Sequence, residues 1–139
     1  MPTRHANAKW DGTLTEGSGE MQFADYSGPF TFASRFEEGE GTNPEELIGA
    51  AIAGCFSMAL SADLEAAGHK SKHVESEATV EVHPQPGGGF AITRIHLKTR
   101  AVVPGITDEE FQKVADATRQ NCPVAKVLAL PVTLEATFS

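Results

Sequence analysis

The chain has 139 residues, 40% of them hydrophobic and 22% charged, with a formal net charge of -8 at pH 7. That acidic balance, with a pI near 5.0, excludes the basic surface that nonspecific binding to nucleic acid or to an anionic membrane requires. The length suits one domain, 1–139, built around one core, and the composition is that of a globular protein.

No apolar run reaches the roughly 20 uncharged residues of a membrane span. The opening MPTRHANAKWDG lacks the apolar stretch of a secretory signal. A soluble, cytoplasmic protein is expected.

The first 35 residues read as strands and turns. Asp11-Gly12 is a hairpin signal, and Gly17-Ser18-Gly19 marks a second turn. GEMQFADY reads as a strand, Ser27-Gly28-Pro29 as a further turn, and FTFASRFE as a strand with Phe30, Phe32 and Ser34 on one face. EEGEG follows as an acidic loop.

A long helix then begins at Pro44. Asn43 is a good N-cap, proline suits the first helical position, and Glu46 at the third completes an Asn-x-x-Glu capping box. Leu47, Ile48, Ala51, Ile52, Cys55, Phe56, Ala59, Leu60 and Leu64 recur at three- and four-residue steps and define a broad apolar face. Gly49, Ala50, Ala53, Gly54 and Ser57 make the helix small-sided, as close approach to a neighbour requires. Gly68 ends it.

KHVESEATVEVHP and FAITRIHLKTRAVV alternate as half-buried strands and should pair as an antiparallel hairpin across PQPGGG. In the second strand Ile92, Arg94, His96 and Lys98 fall on one face. Thr107 caps a helix over TDEEFQKVADATRQN, a short helix begins near Pro123, and PVTLEATF is a last strand. The class is α+β: antiparallel sheet around one long buried helix.

Two cysteines, Cys55 and Cys122, form no CxxC and have no zinc-type spacing around them. They are either two buried hydrophobes or a redox pair. Cys55 lies on the apolar helix, where burial alone would leave a thiol inert. Reactivity there requires a cation brought by the fold, and Arg35 is the candidate, its alternative being an exposed strand-end arginine. Glu45 complements the helix dipole, but with Glu46 filling the capping role its carboxylate is free for other work.

Glu45 and Cys55 are ten residues apart on one helix, about 15 Å along the axis, so they cannot meet within one chain. Two copies of the helix crossing antiparallel near Ala50 would bring Glu45 of one chain to Cys55 of the other, twice over, around a twofold axis. Cys122 stands at a helix N-terminus, which favours thiolate and suits a resolving cysteine, packing beside Pro123 being the plainer reading.

FTFASRF, GTNPEELIGAAIAGCFSMAL, GFAITRIHLKTRAVVPGI and NCPVAKVL resemble the OsmC/Ohr family of organic hydroperoxide reductases, most closely the OsmC branch, over nearly the whole chain. Thr13 to Pro29 is where the chain departs from that pattern. The resemblance implies an intertwined homodimer with its active sites at the interface. It implies Cys55 as the peroxidatic cysteine, Cys122 as the resolving cysteine, Arg35 as the residue that activates the thiolate, and Glu45 as the carboxylate that orients Arg35. The implied activity is reduction of organic hydroperoxides through a sulfenic acid and a Cys55–Cys122 disulfide, with an external dithiol, a dihydrolipoyl group, as reductant.

Phe36, Ile52, Phe56, Met58 and Phe111 are candidate walls of an apolar substrate pocket, with plain core packing as the alternative for each. No motif for a metal, flavin or haem is present, and the five histidines are assigned surface or structural roles. A noncatalytic dimeric module holding an apolar ligand at the same interface is the rival from another class.

Overall fold

The computed structural model describes residues 1–139. The chain divides into two compact units, Met1–Leu47 and Ile48–Ser139.

The first unit holds a three-stranded antiparallel sheet in the order β1-β2-β3, formed by β1 (Asn7–Asp11), β2 (Ser18–Phe23) and β3 (Tyr26–Phe30). Gly12, with φ +96°, opens the loop from β1 to β2 as its sequence signal implies. The next reversal differs from expectation. The chain turns at Ala24-Asp25, with Ala24 at φ +47°, and Phe23 stacks on Tyr26 across it at 4.7 Å. Ser27-Gly28-Pro29 therefore lies inside β3. As an edge strand, β3 tolerates a proline that cannot donate to a ladder.

FTFASRFE is also not a strand. Phe32–Phe36 forms a short helix, α1. Thr31 caps it: its hydroxyl accepts from the Ser34 N–H at 3.1 Å, and the Ser34 hydroxyl accepts from the Thr31 N–H at 2.8 Å. This reciprocal capping box wins over the period-two pattern, and it sets Phe32 and Phe36 one turn apart on one face, rings 5.2 Å apart.

The long helix α2 spans Pro44–Ala66. Asn43 caps it as expected, accepting from the Glu46 N–H at 2.8 Å. Glu46 turns instead to the Thr42 hydroxyl at 2.9 Å, so only half of the expected box forms. At the far end Gly68 adopts φ +91°, while Gly68 N–H donates to Glu65 O and His69 N–H to Leu64 O, a Schellman ending. By length and composition alone α2 could cross a bilayer, with a mean hydropathy of 1.7 over its most apolar stretch. Here one face of the helix packs a core, and 28% of that stretch is buried.

In the second unit β4 (His73–Pro84), β5 (Phe90–Val102) and β6 (Val132–Phe138) make a sheet in that order. β4 and β5 are the expected antiparallel hairpin, but β6 runs parallel to β5. The crossover through α3 (Asp108–Asn121) and α4 (Pro123–Val127) returns the chain in the same direction, as a helical connection must for parallel neighbours. A register shift at Glu81/Val82, opposite Thr93, moves Ile92 to the core side, away from the face of Arg94, His96 and Lys98.

Ile52, Phe56, Leu60 and Leu64 of α2 pack with Ile95, Leu97 and Ala101 of β5 and with Phe111 and Ala115 of α3. Each such fully buried large side chain contributes about 1.5–3 kcal/mol. The outer face of the sheet is polar, with Glu81 paired to Arg94 and Glu75 to Arg100. On the inner face, the Ser57 hydroxyl donates to Ser76, which shares a hydrogen bond with the buried Thr99, so these hydroxyls between helix and sheet are satisfied.

Candidate active site

Two arrangements of reactive or charged side chains stand out, one in each unit. In the first, Arg35 on α1 meets Glu45 in the opening turn of α2. The guanidinium Nη2 donates to Glu45 Oε1 at 2.7 Å, and Nε reaches the two carboxylate oxygens at 3.3 and 3.2 Å. This is a two-point pairing of the kind lysine cannot make. Glu45 is 7% exposed at its side chain and Arg35 37%, so the carboxylate is held inside while the guanidinium keeps an open side.

Local structure explains how two short segments hold that pair. The Ser34 hydroxyl donates to Thr42 O at 2.8 Å, and Asn43 Nδ2 donates to Ser34 O at 3.0 Å. Asn43 thus caps α2 and clasps α1 at once. The residues preceding Arg35 and Glu45 are tied together, and the ion pair closes over the clasp.

The open side of Arg35 borders a groove of about 250 Å³ lined by Trp10, Leu14, Phe30, Thr31, Phe32 and Phe36. The Phe36 ring lies 5.1 Å from the guanidinium carbon, within cation–π range. Trp10 and Phe30 meet at 5.2 Å. The sequence pointed to Phe36 but not to Trp10, Leu14, Phe30 or Phe32. The signal for Phe32 was present in its spacing of four from Phe36, which the strand reading of that segment concealed.

In the second unit Cys55 Sγ and Cys122 Sγ lie 2.7 Å apart, both as free thiols. The gap exceeds the roughly 2.05 Å of an S–S bond and is well inside ordinary sulfur contact. Cys55 projects from the middle of α2. Cys122 sits where α3 ends and α4 begins, its N–H donating to Thr118 O at 2.8 Å. Cys122 is 1% exposed, and Cys55 is partly exposed. Of the two residues, Cys55 is the one that reaches solvent.

Burial pushes the Cys122 thiol above its ordinary pKa, and the hydrogen bond to Cys55 pushes the same way. Backbone N–H groups of Ala125 and Val124 pull in the opposite direction and lose. The expectation that a helix start would favour thiolate at Cys122 is corrected here: α4 is five residues long, and desolvation outweighs its few oriented amides.

The other pocket candidates separate. Ile52, Phe56 and Phe111 are fully buried in the core, and Met58 is 76% exposed beside Ser57, Ser61 and His73. No group of three or more His, Cys, Asp or Glu side chains is placed to hold a metal ion.

The fold is mixed α+β, with a long helix that carries one cysteine against a second, buried cysteine. Residues 37–137 match the family described as OsmC-like protein, and the chain belongs to that family. It is 41% identical over 137 residues to peroxiredoxin OsmC of Escherichia coli, covering 95% of this chain and 94% of that protein. It is 39% identical over 88 residues to the organic hydroperoxide resistance protein of Xanthomonas axonopodis pv. citri, covering 61% of this chain and 58% of that one. Among solved structures, an OsmC-like protein from Mycoplasma pneumoniae shares the fold with a TM-score of 0.76 at 17% identity, covering 99% of this chain and 97% of the other.

Proposed function

We propose that this chain is a thiol peroxidase that reduces organic hydroperoxides to alcohols, with Cys55 as the attacking and Cys122 as the resolving cysteine. The observation that carries the mechanism is the 2.7 Å approach of the two sulfurs, one on a partly exposed residue and one on a buried residue. The peroxidase activity rests on family membership and on the names of the relatives above.

Cys55 attacks as thiolate the oxygen of ROOH distal to R. A sulfur electron pair forms the S–O bond, the O–O bond breaks, and RO⁻ leaves to take a proton and become ROH. Cys55 is left as a sulfenic acid. The Cys122 sulfur then bonds to the Cys55 sulfur, the S–O bond breaks, and the hydroxyl departs as water with the Cys122 thiol proton. Burial keeps that proton on Cys122 until it is needed. An external dithiol, in our reading a dihydrolipoyl group, reduces the disulfide by exchange.

Arg35 is the cation of the reaction. Its donors bind the peroxide oxygens and the developing alkoxide. Glu45 fixes the plane of the guanidinium through its two-point contact. The aromatic groove beside Arg35 receives the R group. The active unit is a homodimer in which α2 of two chains cross antiparallel. The exposed small residues Ala50, Ala51 and Gly54 support this, since a side-chain carbon added at Gly54 meets nothing within 4 Å.

Reduced protein exposed to cumene hydroperoxide should lose two hydrogens by mass, and Cys55→Ser should not. Unchanged mass under excess peroxide would overturn the peroxidase in favour of a module that merely holds an apolar ligand.

A further inference from the structure

Cys55 rides on α2 and Cys122 follows the last residue of α3, and a polar contact joins those two helices. Thr118 on α3 is fully buried. Its hydroxyl lies 2.6 Å from Asp63 Oδ2 on α2 and 2.9 Å from Val114 O one turn back. A hydroxyl has a single proton, and the nearer, charged acceptor takes it. A threonine in mid-helix ordinarily turns back on its own backbone. Here a carboxylate from a second helix converts that habit into a cross-link.

Its position is what matters. Thr118 O accepts the Cys122 N–H at 2.8 Å, so the residue that anchors the Cys122 backbone is itself anchored to α2. Asp63 lies eight residues beyond Cys55 on that same helix, about 12 Å along its axis. The neighbouring Arg119 ties the last turn of α3 to the sheet, its Nη1 donating to Val132 O at 3.1 Å. The end of α3 is held on two sides, and Cys122 is the next residue out.

We propose that Asp63 and Thr118 are positioning residues for disulfide closure: their hydrogen bond sets the register of α3 against α2 that brings the Cys122 sulfur onto Cys55. The inference rests on the redox reading above. Closure forms the S–S bond as the sulfenic S–O bond breaks and water leaves with the Cys122 proton, so it needs the two sulfurs in line. Displacements of ~1 Å cost reactions of this kind up to about a hundredfold in rate. The first step, attack on peroxide, makes no use of Cys122 and is indifferent to this bond.

The test is a partition. Reduced wild type, Thr118→Val, Thr118→Ser and Asp63→Asn are each treated with cumene hydroperoxide in the presence of dimedone, and the Cys55 adduct and the disulfide are counted by mass. Loss of reduced Cys55 should proceed at the wild-type rate in all four. In Thr118→Val the disulfide-to-adduct ratio should fall on the order of tenfold, a change of ~1.4 kcal/mol in the closure barrier. Thr118→Ser, which restores the hydroxyl, should return to the wild-type ratio. Asp63→Asn keeps shape and a weaker acceptor and should fall between, and it carries the test if Thr118→Val does not fold. Equal ratios in wild type and the hydroxyl-deleted or carboxylate-neutralised protein would overturn the positioning role, whatever the loss in Tm. A wild type that gives neither adduct nor disulfide would overturn the redox reading and this inference with it.

Discussion

The sulfur of Cys122 lies 2.7 Å from that of Cys55, yet only Cys55 has access to solvent. Under the proposed peroxidase function, the asymmetry sets the order of events. On that proposal peroxide reaches Cys55 first, and Cys122, its thiol pushed up by burial, follows. Cys122→Ser should still react once with hydroperoxide but should halt at the sulfenic acid, and excess peroxide should carry it on to sulfinic acid. Intact-mass measurement after stepwise additions checks this, with gains of one and then two oxygens on Cys55. Formation of a stable disulfide between two Cys122→Ser chains would instead assign resolution to a second molecule.

The Arg35–Glu45 pair predicts different outcomes for its two members. Arg35→Met leaves a buried carboxylate without its partner, which should destabilise the fold by about 3 kcal/mol, read from the urea midpoint. It should also lower kcat/KM for cumene hydroperoxide by about a hundredfold or more, the usual loss when a transition-state donor is removed. Glu45→Gln keeps the guanidinium but loosens its plane. It should reduce activity less than Arg35→Met does, with Cys55 still alkylated by iodoacetamide. Equal loss of activity in both variants would argue that Glu45 does more than orient Arg35.

The parts that were legible in the sequence are those written in local rules. The Asn43 cap, Pro44, the apolar recurrence from Leu47 to Leu64 and the Gly68 stop define α2 without help from tertiary structure. Thr107 does the same for α3, where its hydroxyl accepts from the Glu110 N–H. The misread elements are those in which local signals compete. In FTFASRFE, alternation suggests a strand, while the Thr31–Ser34 reciprocal cap and the Phe32/Phe36 spacing make a helix. Strict alternation puts Ile92 on the face of Arg94, and the register shift opposite Thr93 that moves it to the core leaves no mark in the residue pattern. The direction of β6 follows from a crossover, which is a property of the chain path. The net effect on the Cys122 thiol depended on burial, a tertiary quantity that the helix start could not reveal. The cross-link between Asp63 and Thr118, 55 residues apart in sequence, had no sequence signal at all.

Substrate contact and core packing are separable among the aromatic residues. Phe111 is fully buried against Phe138 at 4.7 Å, so Phe111→Ala should cost about 3–5 kcal/mol of stability and leave KM near its wild-type value. Phe36 borders the groove beside Arg35. Phe36→Ala should raise KM for cumene hydroperoxide by about tenfold while leaving turnover of hydrogen peroxide almost unchanged, since only the organic substrate has an apolar group to place there. Steady-state kinetics with both peroxides decide the matter. An equal loss on the two substrates would assign Phe36 to holding Arg35 in place rather than to binding the R group.

The raised pKa of Cys122 makes a prediction in alkali whose sign can be worked out. Burial, then the hydrogen bond to Cys55, holds the folded thiol above its ordinary value, which the unfolded chain recovers. In the pH window between those two values the unfolded chain has lost a proton that the folded chain still keeps. Raising the pH through that window therefore favours unfolding, and below it this group has no effect on stability. Urea denaturation of the reduced protein across the window should show the decline, and Cys122→Ala should flatten it. In Cys55→Ala the thiolate absorbance of Cys122 should still appear at higher pH in the folded protein than in urea, because desolvation is the larger cause and remains. A folded-state titration at or below the denatured one would show that the amides of Val124 and Ala125 prevail over burial.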